Sequence, residues 1–371
     1  MIRINPFQHT LDLYLLRKFT KNFFMFSLIF LSIIFLVEFV ELLRRTSENP
    51  DIQSTYYVLY LSILKLSGSI VYIIPLIIFV TTMYTCWWLN RNKEIVIIQN
   101  IGLNSFRILY PFIFFTILFS LLYLFFLNPF LSQGTNQYQK IEQQFFHGKL
   151  SQSTINKSGV WLRQGSKENK IVIRAANYLP KFSLFKDVTF YIFTKKNTFI
   201  ERIDTKKAKL EKNYWHMSNV TINRPNKKVA NIEEYTLSTN LSINKIEDSF
   251  LEPQSISIWK LPSFIELLEQ SGFSSTKHKI YLHKNYFFPL FLIGLVLLGG
   301  AFTLKFVKSK KESAYLILFS AVLGFFIYVL SEYIYSLGAA DKIPSLLASL
   351  SPAIITNMMA IYFIFHFDNV K

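Results

Sequence analysis

Apolar residues gather along the chain into runs long enough to cross a bilayer, which takes roughly 20 residues for ~30 Å of hydrocarbon. Six runs are predicted as spans: 22–40, with FFMFSLIFLSIIFLV at its centre, then 70–89, 108–127, 286–306, 314–334 and 352–367. The second extends back to Tyr57 if that helix is long and tilted, with Pro75 as a kink. Gly294, Gly299 and Gly300 would let the fourth pack closely. Between the third and fourth runs the pattern changes. Residues 128–283 alternate apolar and polar positions in short stretches such as KIVIRAANYL, DVTFYIFT and YWHMSNVTINR. Period two with β-branched and aromatic residues predicts strands with one buried face. Gly148, Gly159, Gly165, Asn197 and Pro225 punctuate them. The expectation is an all-β domain, a sandwich or an open jelly-roll. Near its end, ISIWKLPSFIELLEQSG (256–272) predicts a helix opened by Pro262 and closed by Gly272, with Phe264, Leu267 and Leu268 on one face. The fold class is an α-helical polytopic membrane protein of six transmembrane helices, with an all-β, jelly-roll-like domain between spans three and four. The boundaries are 1–127 for spans one to three, 128–283 for the β domain and 284–371 for spans four to six.

Composition agrees. The 371 residues are 51% hydrophobic and 17% aromatic, with mean hydropathy +0.30, as expected of a membrane protein with a large polar part. The net charge of +17 raises nucleic acid as a partner, but much of the basic charge flanks apolar runs rather than lining a soluble face. Short loops set the orientation. Arg3, Arg17, Lys18 and Lys21 precede or open the first span. Arg91, Lys93 and Arg107 lie between the second and third, and Lys305, Lys308, Lys310 and Lys311 between the fourth and fifth. In a six-span plan these segments share one side. The opposite short loops hold Arg44, Arg45 and Lys342. Both termini are therefore expected in the cytoplasm, and the β domain across the membrane, in the periplasm of a Gram-negative cell. The first apolar run is too long for a cleavable leader. One cysteine, Cys86, permits no intramolecular disulfide.

The chemistry of an enzyme is missing. The sequence has no GxxxxGK[ST] loop for a nucleotide, no GxSxG, and no histidine spacing suggestive of a metal beyond His278 and His283. A membrane subunit driven by a separate ATPase remains, and it needs a docking element. NRNKEIVIIQNIGLN (90–104) has that character. Asn92 is a good N-cap. Residues 93–101 read as helix, Glu94 sits in the first turn where the helix dipole favours an anion, and Gly102 suits the C′ position. Asn104 or Ser105 can cap the third span. Ile95, Val96, Ile98 and Ile101 give more apolar surface than a solvated loop needs. Periodicity alone leaves docking and packing against neighbouring spans equal.

At these residues the chain resembles the LptF/LptG family of lipopolysaccharide export ABC transporter permeases. DLYLLRKFTKNF and EFVELLRR resemble the two ends of the family's first span. NKEIVIIQNIGLNSFRILYP resembles its coupling-helix motif, and GVWLRQG, DVTFYIF and YWHMSNV its periplasmic domain. DKIPSLLASLSPAI resembles the loop into span six, with Asp341-Lys342-Ile343-Pro344 where the family has Gly-Ile-Pro. GVWLR, the W-x-x-x-x-V spacing and SIWKLP lie nearer LptG than LptF. The resemblance implies a non-catalytic subunit that binds no cofactor itself, pairs with an LptF-like permease, and sits on an LptB-like ATPase dimer that uses the ATP. It implies lipopolysaccharide as substrate, an LptC-like periplasmic partner, no nucleic acid, and spans one and five as gate elements. It assigns ATPase coupling to Glu94, with Ile95, Ile98 and Gly102 around it on the coupling helix at about 92–102.

An amphipathic, phosphorylated substrate calls for a basic rim. Arg44 and Arg45 break the charge trend at the far end of span one, and Arg binds phosphate in a bidentate way. Snorkelling to ordinary lipid phosphates is the alternative, and pairing with Glu38 or Glu41 at i+3 or i+4 competes with both. Lys65, inside the long form of span two, either faces a cavity or snorkels outward. Trp161, Phe190, Tyr191 and Trp215 read as core of the β domain before they read as acyl-chain contacts. Outside this family, a lipoprotein-handling permease has a four-span plan, an envelope enzyme lacks its catalytic constellation here, and a scaffold needs only one span.

Overall fold

The computed structural model describes residues 6–47, 55–145, 160–165, 169–179, 184–194, 198–211, 214–225, 228–239, 251–270, 274–304 and 310–368. They form two compact units: 1–138 with 257–259 and 276–371, and 139–256 with 260–275. Lys305 and Lys308, the punctuating Gly148, Gly159 and Asn197, and Gly272 lie outside the described residues.

The first unit is helical. Helix α1 runs Pro6–Ser47, α2 Thr55–Arg91, and the short α3 Glu94–Asn100. Helix α4, Ser105–Leu122, continues through a π-turn at Tyr123–Leu127 into α5, Asn128–Phe145. The chain returns through α7, Thr276–Tyr286, α8, Phe288–Thr303, α9, Lys310–Ala339, and α10, Ser345–Asp368; α6, Leu261–Gln270, belongs to the second unit. Among the described residues, five helices are long and apolar enough to cross a membrane, and the bent pair α7–α8 makes up to six. The long form of span two is the observed one, and it continues through Pro75.

Two departures from sequence expectation have a common cause in proline. The predicted fourth span, 286–306, corresponds to α8, and α7 precedes it at an angle of 54°. Pro289 enters α8 within its first two positions. Its ring and missing N–H cannot continue the α7 ladder, but they cost nothing at a helix start. In the third span, the Asn128 N–H reaches back five residues to the Tyr123 carbonyl. Pro129 has no N–H to offer the carbonyl of Phe125, and the wider π-turn accommodates that gap. The helix then runs to Phe145, past the expected boundary at 128, and the second compact unit begins at Gln139. NPFLSQGTNQYQKIEQQF is too polar to extend an apolar run, which is why hydropathy ended the span early.

Helix α8 is the centre of the bundle. It packs against α2, α4, α9 and α10, and its buried residues go all the way round, from Phe288 and Phe291 to Phe302 and Thr303. Close approach is possible because a side chain is missing where one would collide. A Cβ on Gly300 would sit 2.6 Å from the Leu109 methyls of α4. Polar glue reinforces the packing: Asn357 of α10 donates 2.8 Å hydrogen bonds to the carbonyls of Leu290 in α8 and Ala353. Phe79 of α2 lies 3% exposed, with its ring against Gly324 of α9 where any Cβ would overlap it.

The second unit holds β1 Val160–Gly165, β2 Asn169–Leu179, β3 Leu184–Thr194, β4 Phe199–Glu211, β5 Tyr214–Asn223 and β6 Ala230–Ser238. Each strand pairs antiparallel with the next, so the sheet order is the chain order. The all-β expectation holds as one open sheet; among the described residues there is no second sheet of a sandwich. Alternation buries Ile171, Ile173, Val188, Phe190, Ile203, Met217 and Val220 on one face. Trp215 is completely buried there and meets Phe185 and Phe190 edge to face, at 5.0 and 5.5 Å. Phe190 and Trp215 are thus core, as expected, while Tyr191 is half-buried on the alternate face; the side chain of Trp161 lies outside the described residues. In α6 the buried residues are Leu261, Ile265 and Leu268.

The Phe79–Gly324 contact makes a prediction. Gly324→Val should destabilise the full-length protein by about 1–3 kcal/mol, the cost of overpacking a filled site. Thermal unfolding in detergent would show the loss, and adding Phe79→Ala should recover part of it.

Candidate functional site

Helix α3 joins α2 to α4. Its start is not an N-cap at Asn92. The Asn92 and Lys93 N–H groups still bond back to the carbonyls of Trp88 and Asn90, at 3.1 and 2.9 Å, so α2 ends in a tight turn. Lys93 then takes a left-handed conformation, φ 60°, and reverses the chain. α3 therefore begins at Glu94, one residue later than predicted, and its seven residues span about 10 Å. Its end is as expected: Gly102 has φ 88°, a region that favours glycine, and its N–H bonds to the Gln99 carbonyl at 2.9 Å. The Asn104 side chain caps α4 by accepting from the Arg107 N–H at 3.0 Å.

The isoleucines divide into two sets. Ile95 and Ile98, 1% and 6% exposed, join the core of the helical unit and seat α3 on its own spans. Ile97 and Ile101, 60% and 56% exposed, face outward. The pair assigned from the sequence to motor contact is thus the inward one, because a 3.6-residue period gives a stripe but not its direction. Glu94 is half-buried. Its two carboxylate oxygens accept from the Tyr14 hydroxyl of α1, at 3.1 and 3.0 Å. Two further contacts lie on the same N-terminal part of α1: Arg107 pairs with Asp12 at 2.6 Å, and the Lys18 ammonium sits 3.0 Å from the centroid of the Trp88 ring.

The family model for "Lipopolysaccharide export system permease LptF/LptG" matches residues 13–366. The chain belongs to the LptF/LptG permease family. It is similar to the lipopolysaccharide export system permease protein LptG of Haemophilus influenzae, 22% identical over 285 residues that cover 73% of this chain and 75% of the relative. With the apolar helices, this makes the chain a multi-pass inner-membrane permease.

In this permease the basic residues at the far end of α1 are differently placed. The Lys65 ammonium of α2 lies 2.5 Å from Glu38 and 2.8 Å from Glu41 of α1. Ser69 donates to the other oxygen of Glu38 at 3.0 Å. Arg45 pairs with Glu41 at 2.5 Å, one helical turn away. Lys65 thus bridges two helices through both carboxylates of α1. Arg44 is exposed.

Sequence reasoning missed a second ion pair between helices. Lys284 of α7 meets Glu332 of α9 at 2.6 Å. The rings of Tyr335 and Tyr72 flank the ammonium at 4.5 and 5.1 Å, and the Tyr328 hydroxyl donates to the Tyr72 carbonyl at 2.8 Å. The signal was present: Glu332 is an acid inside the fifth apolar run, where an ionisable group calls for a partner. It also missed a buried amide knot at the π-turn. Asn128 accepts from the Ile258 N–H at 2.9 Å and donates to the Tyr281 hydroxyl at 3.3 Å. Tyr123 donates to Asn285 at 3.2 Å. The SIW part of SIWKLP is held there, with Trp259 5.0 Å from Phe125. Among the described residues no cluster of His, Cys, Asp or Glu could hold a metal ion; His278 and His283 lie five residues apart on α7, about 140° around the helix, with His278 buried.

Breaking the Lys284–Glu332 pair from one side should be costly. Lys284→Met leaves the partly exposed Glu332 carboxylate without its counter-charge and should lower stability by about 1–3 kcal/mol. The double variant with Glu332→Leu should lose much less. Thermal unfolding of all three proteins in detergent checks this.

Proposed function

We propose that the chain is a permease subunit of the ABC transporter that lifts lipopolysaccharide out of the inner membrane and passes it to a periplasmic bridge toward the outer membrane. The carrying observation is the family match across residues 13–366, on a helical bundle that presents a short helix with an outward apolar face between two spans. Both termini and α3 are assigned to the cytoplasm, on the strength of the basic short loops, and the β sheet to the periplasm. The chain pairs with an LptF-like permease, two LptB-like ATPase subunits dock beneath and consume the ATP, and an LptC-like protein receives the substrate. It is itself no enzyme and holds no cofactor. Removing a lipid costs ~0.8 kcal/mol for every CH₂ that leaves the bilayer, so work must come from outside the chain.

α3 is the element through which that work enters. Ile97 and Ile101 supply the apolar contact to the ATPase, Ile95 and Ile98 brace the helix from behind, and Gly102 makes the turn that presents it. A carboxylate accepts several hydrogen bonds, so Glu94 can hold the Tyr14 hydroxyl and still meet a cation of the ATPase. Of the proposed substrate rim, Arg44 and Arg45 are both exposed, and Arg44 is the guanidinium offered to a lipid phosphate. Arg45 and Lys65 belong to the rim through the Glu38–Glu41 network that positions them.

Ile97→Asp or Ile101→Asp should cut ATPase copurification at least about tenfold, a loss of ~1.4 kcal/mol, with the membrane-inserted protein still at normal abundance. Normal copurification from both variants would sink the docking assignment. LptG rather than LptF is the subunit assigned, from the named relative and the SIWKLP and GVWLR features. Expression of the chain alone should restore growth to cells depleted of LptG and fail in cells depleted of LptF; the reverse pattern would reassign it.

A further inference from the structure

Helix α1 is a long element with little holding it. It has 42 residues, only 6% of its most apolar window is buried, and it packs chiefly on α2 and α4. Phe19 stacks on Phe112 at 4.5 Å and Phe23 meets Phe115 and Phe119 of α4; beyond that packing, its polar contacts supply the directed links to its neighbours. They fall at two places. At the N-terminal end are Tyr14–Glu94, Asp12–Arg107 and Lys18–Trp88, with Asn22 donating to Thr85 at 2.9 Å one turn beyond. At the other end are Glu38 and Glu41 with Lys65. From Tyr14 to Glu41 the helix covers about 40 Å.

Of these contacts, one reaches α3. Asp12, Lys18 and Asn22 grip α4 and α2, whereas the Tyr14 hydroxyl grips the first residue of the short helix itself. We propose that Tyr14 is a positioning residue: its hydrogen bond to Glu94 ties α1 to α3, so that a displacement of α3 is delivered along α1 to the carboxylates around Lys65. The inference rests on α3 being the site where an ATPase docks. It does not follow from that reading, because α3 is already seated by Ile95 and Ile98 and joined by chain to α2 and α4.

The test uses the complete complex purified with its ATPase. Tyr14→Phe removes one oxygen and keeps the ring. Val40, 63% exposed, is replaced by cysteine and labelled with an environment-sensitive fluorophore; the native Cys86 is fully buried and does not compete. Trapping the ATPase with ATP and vanadate should change the fluorescence in the Tyr14 protein. In Tyr14→Phe the ATPase should copurify in full amount and hydrolyse ATP, while the fluorescence change and the lipid released per ATP both fall about fivefold, the factor one lost hydrogen bond carries. An undiminished fluorescence change with undiminished transport per ATP overturns the proposal. So does loss of ATPase copurification, which would make Tyr14 part of docking. If the Tyr14 protein itself neither retains an ATPase nor responds to trapping, the functional reading fails first and takes the inference with it.

Discussion

A helix that is apolar on every side has no reason to prefer protein to lipid, because hydrocarbon tails solvate it equally well. Helix α8 is such a helix, and it is enclosed by α2, α4, α9 and α10. What keeps it there is contact density rather than the hydrophobic effect. Gly300 lets Leu109 of α4 come against its backbone, and Gly294 admits Asn357, whose amide then reaches the Leu290 carbonyl. Without those absent side chains the dispersion contacts and the hydrogen bond would both be lost. The rest of the bundle is arranged around this axis, and the Pro289 break that starts α8 also turns α7 away by 54°.

The polar contacts follow from the same scarcity of driving force. Where α8 is held by fit, the outer helices are held by a few charged or hydrogen-bonded pairs. Lys284–Glu332 joins α7 to α9, and Lys65 with Glu38 and Glu41 joins α2 to α1. Each is shielded enough that separating the partners is unfavourable and exposed enough that water can re-solvate them as they part. Pairs of that kind define discrete arrangements of helices.

Much of this was legible in the sequence, and the failures are instructive. Long apolar runs located the spans, period-two alternation located the sheet, and Gly102 marked the end of α3, because each signal is a local consequence of local geometry. The continuation of α4 into α5 was hidden, since NPFLSQGTNQYQKIEQQF forms a helix on polar residues that hydropathy discounts. The start of α3 was misplaced because Lys93, not glycine, takes the left-handed turn. Which isoleucines face inward, and the pairing of Glu332 with Lys284, depend on where distant helices lie. No spacing within one segment carries that information. The resemblance to the permease family named Glu94, but it could not give Tyr14 as its neighbour 80 residues earlier.

That neighbour alters how α3 is understood. A short helix fixed only by buried isoleucines would move with whatever backs it, chiefly α2. The Tyr14 hydroxyl adds a directed contact to an element the isoleucines do not control. A hydrogen bond to a charged acceptor contributes about 1.5–3 kcal/mol when shielded and less at an exposed position such as this one. It is therefore too weak to immobilise α1, yet its breaking shifts the population of α1 positions by about fivefold. Strength in that range suits a linkage that must follow α3 in one part of a cycle and release it in another. A buried salt bridge in the same place would hold α1 to α3 throughout, and an apolar contact would lack the direction that a hydrogen bond gives.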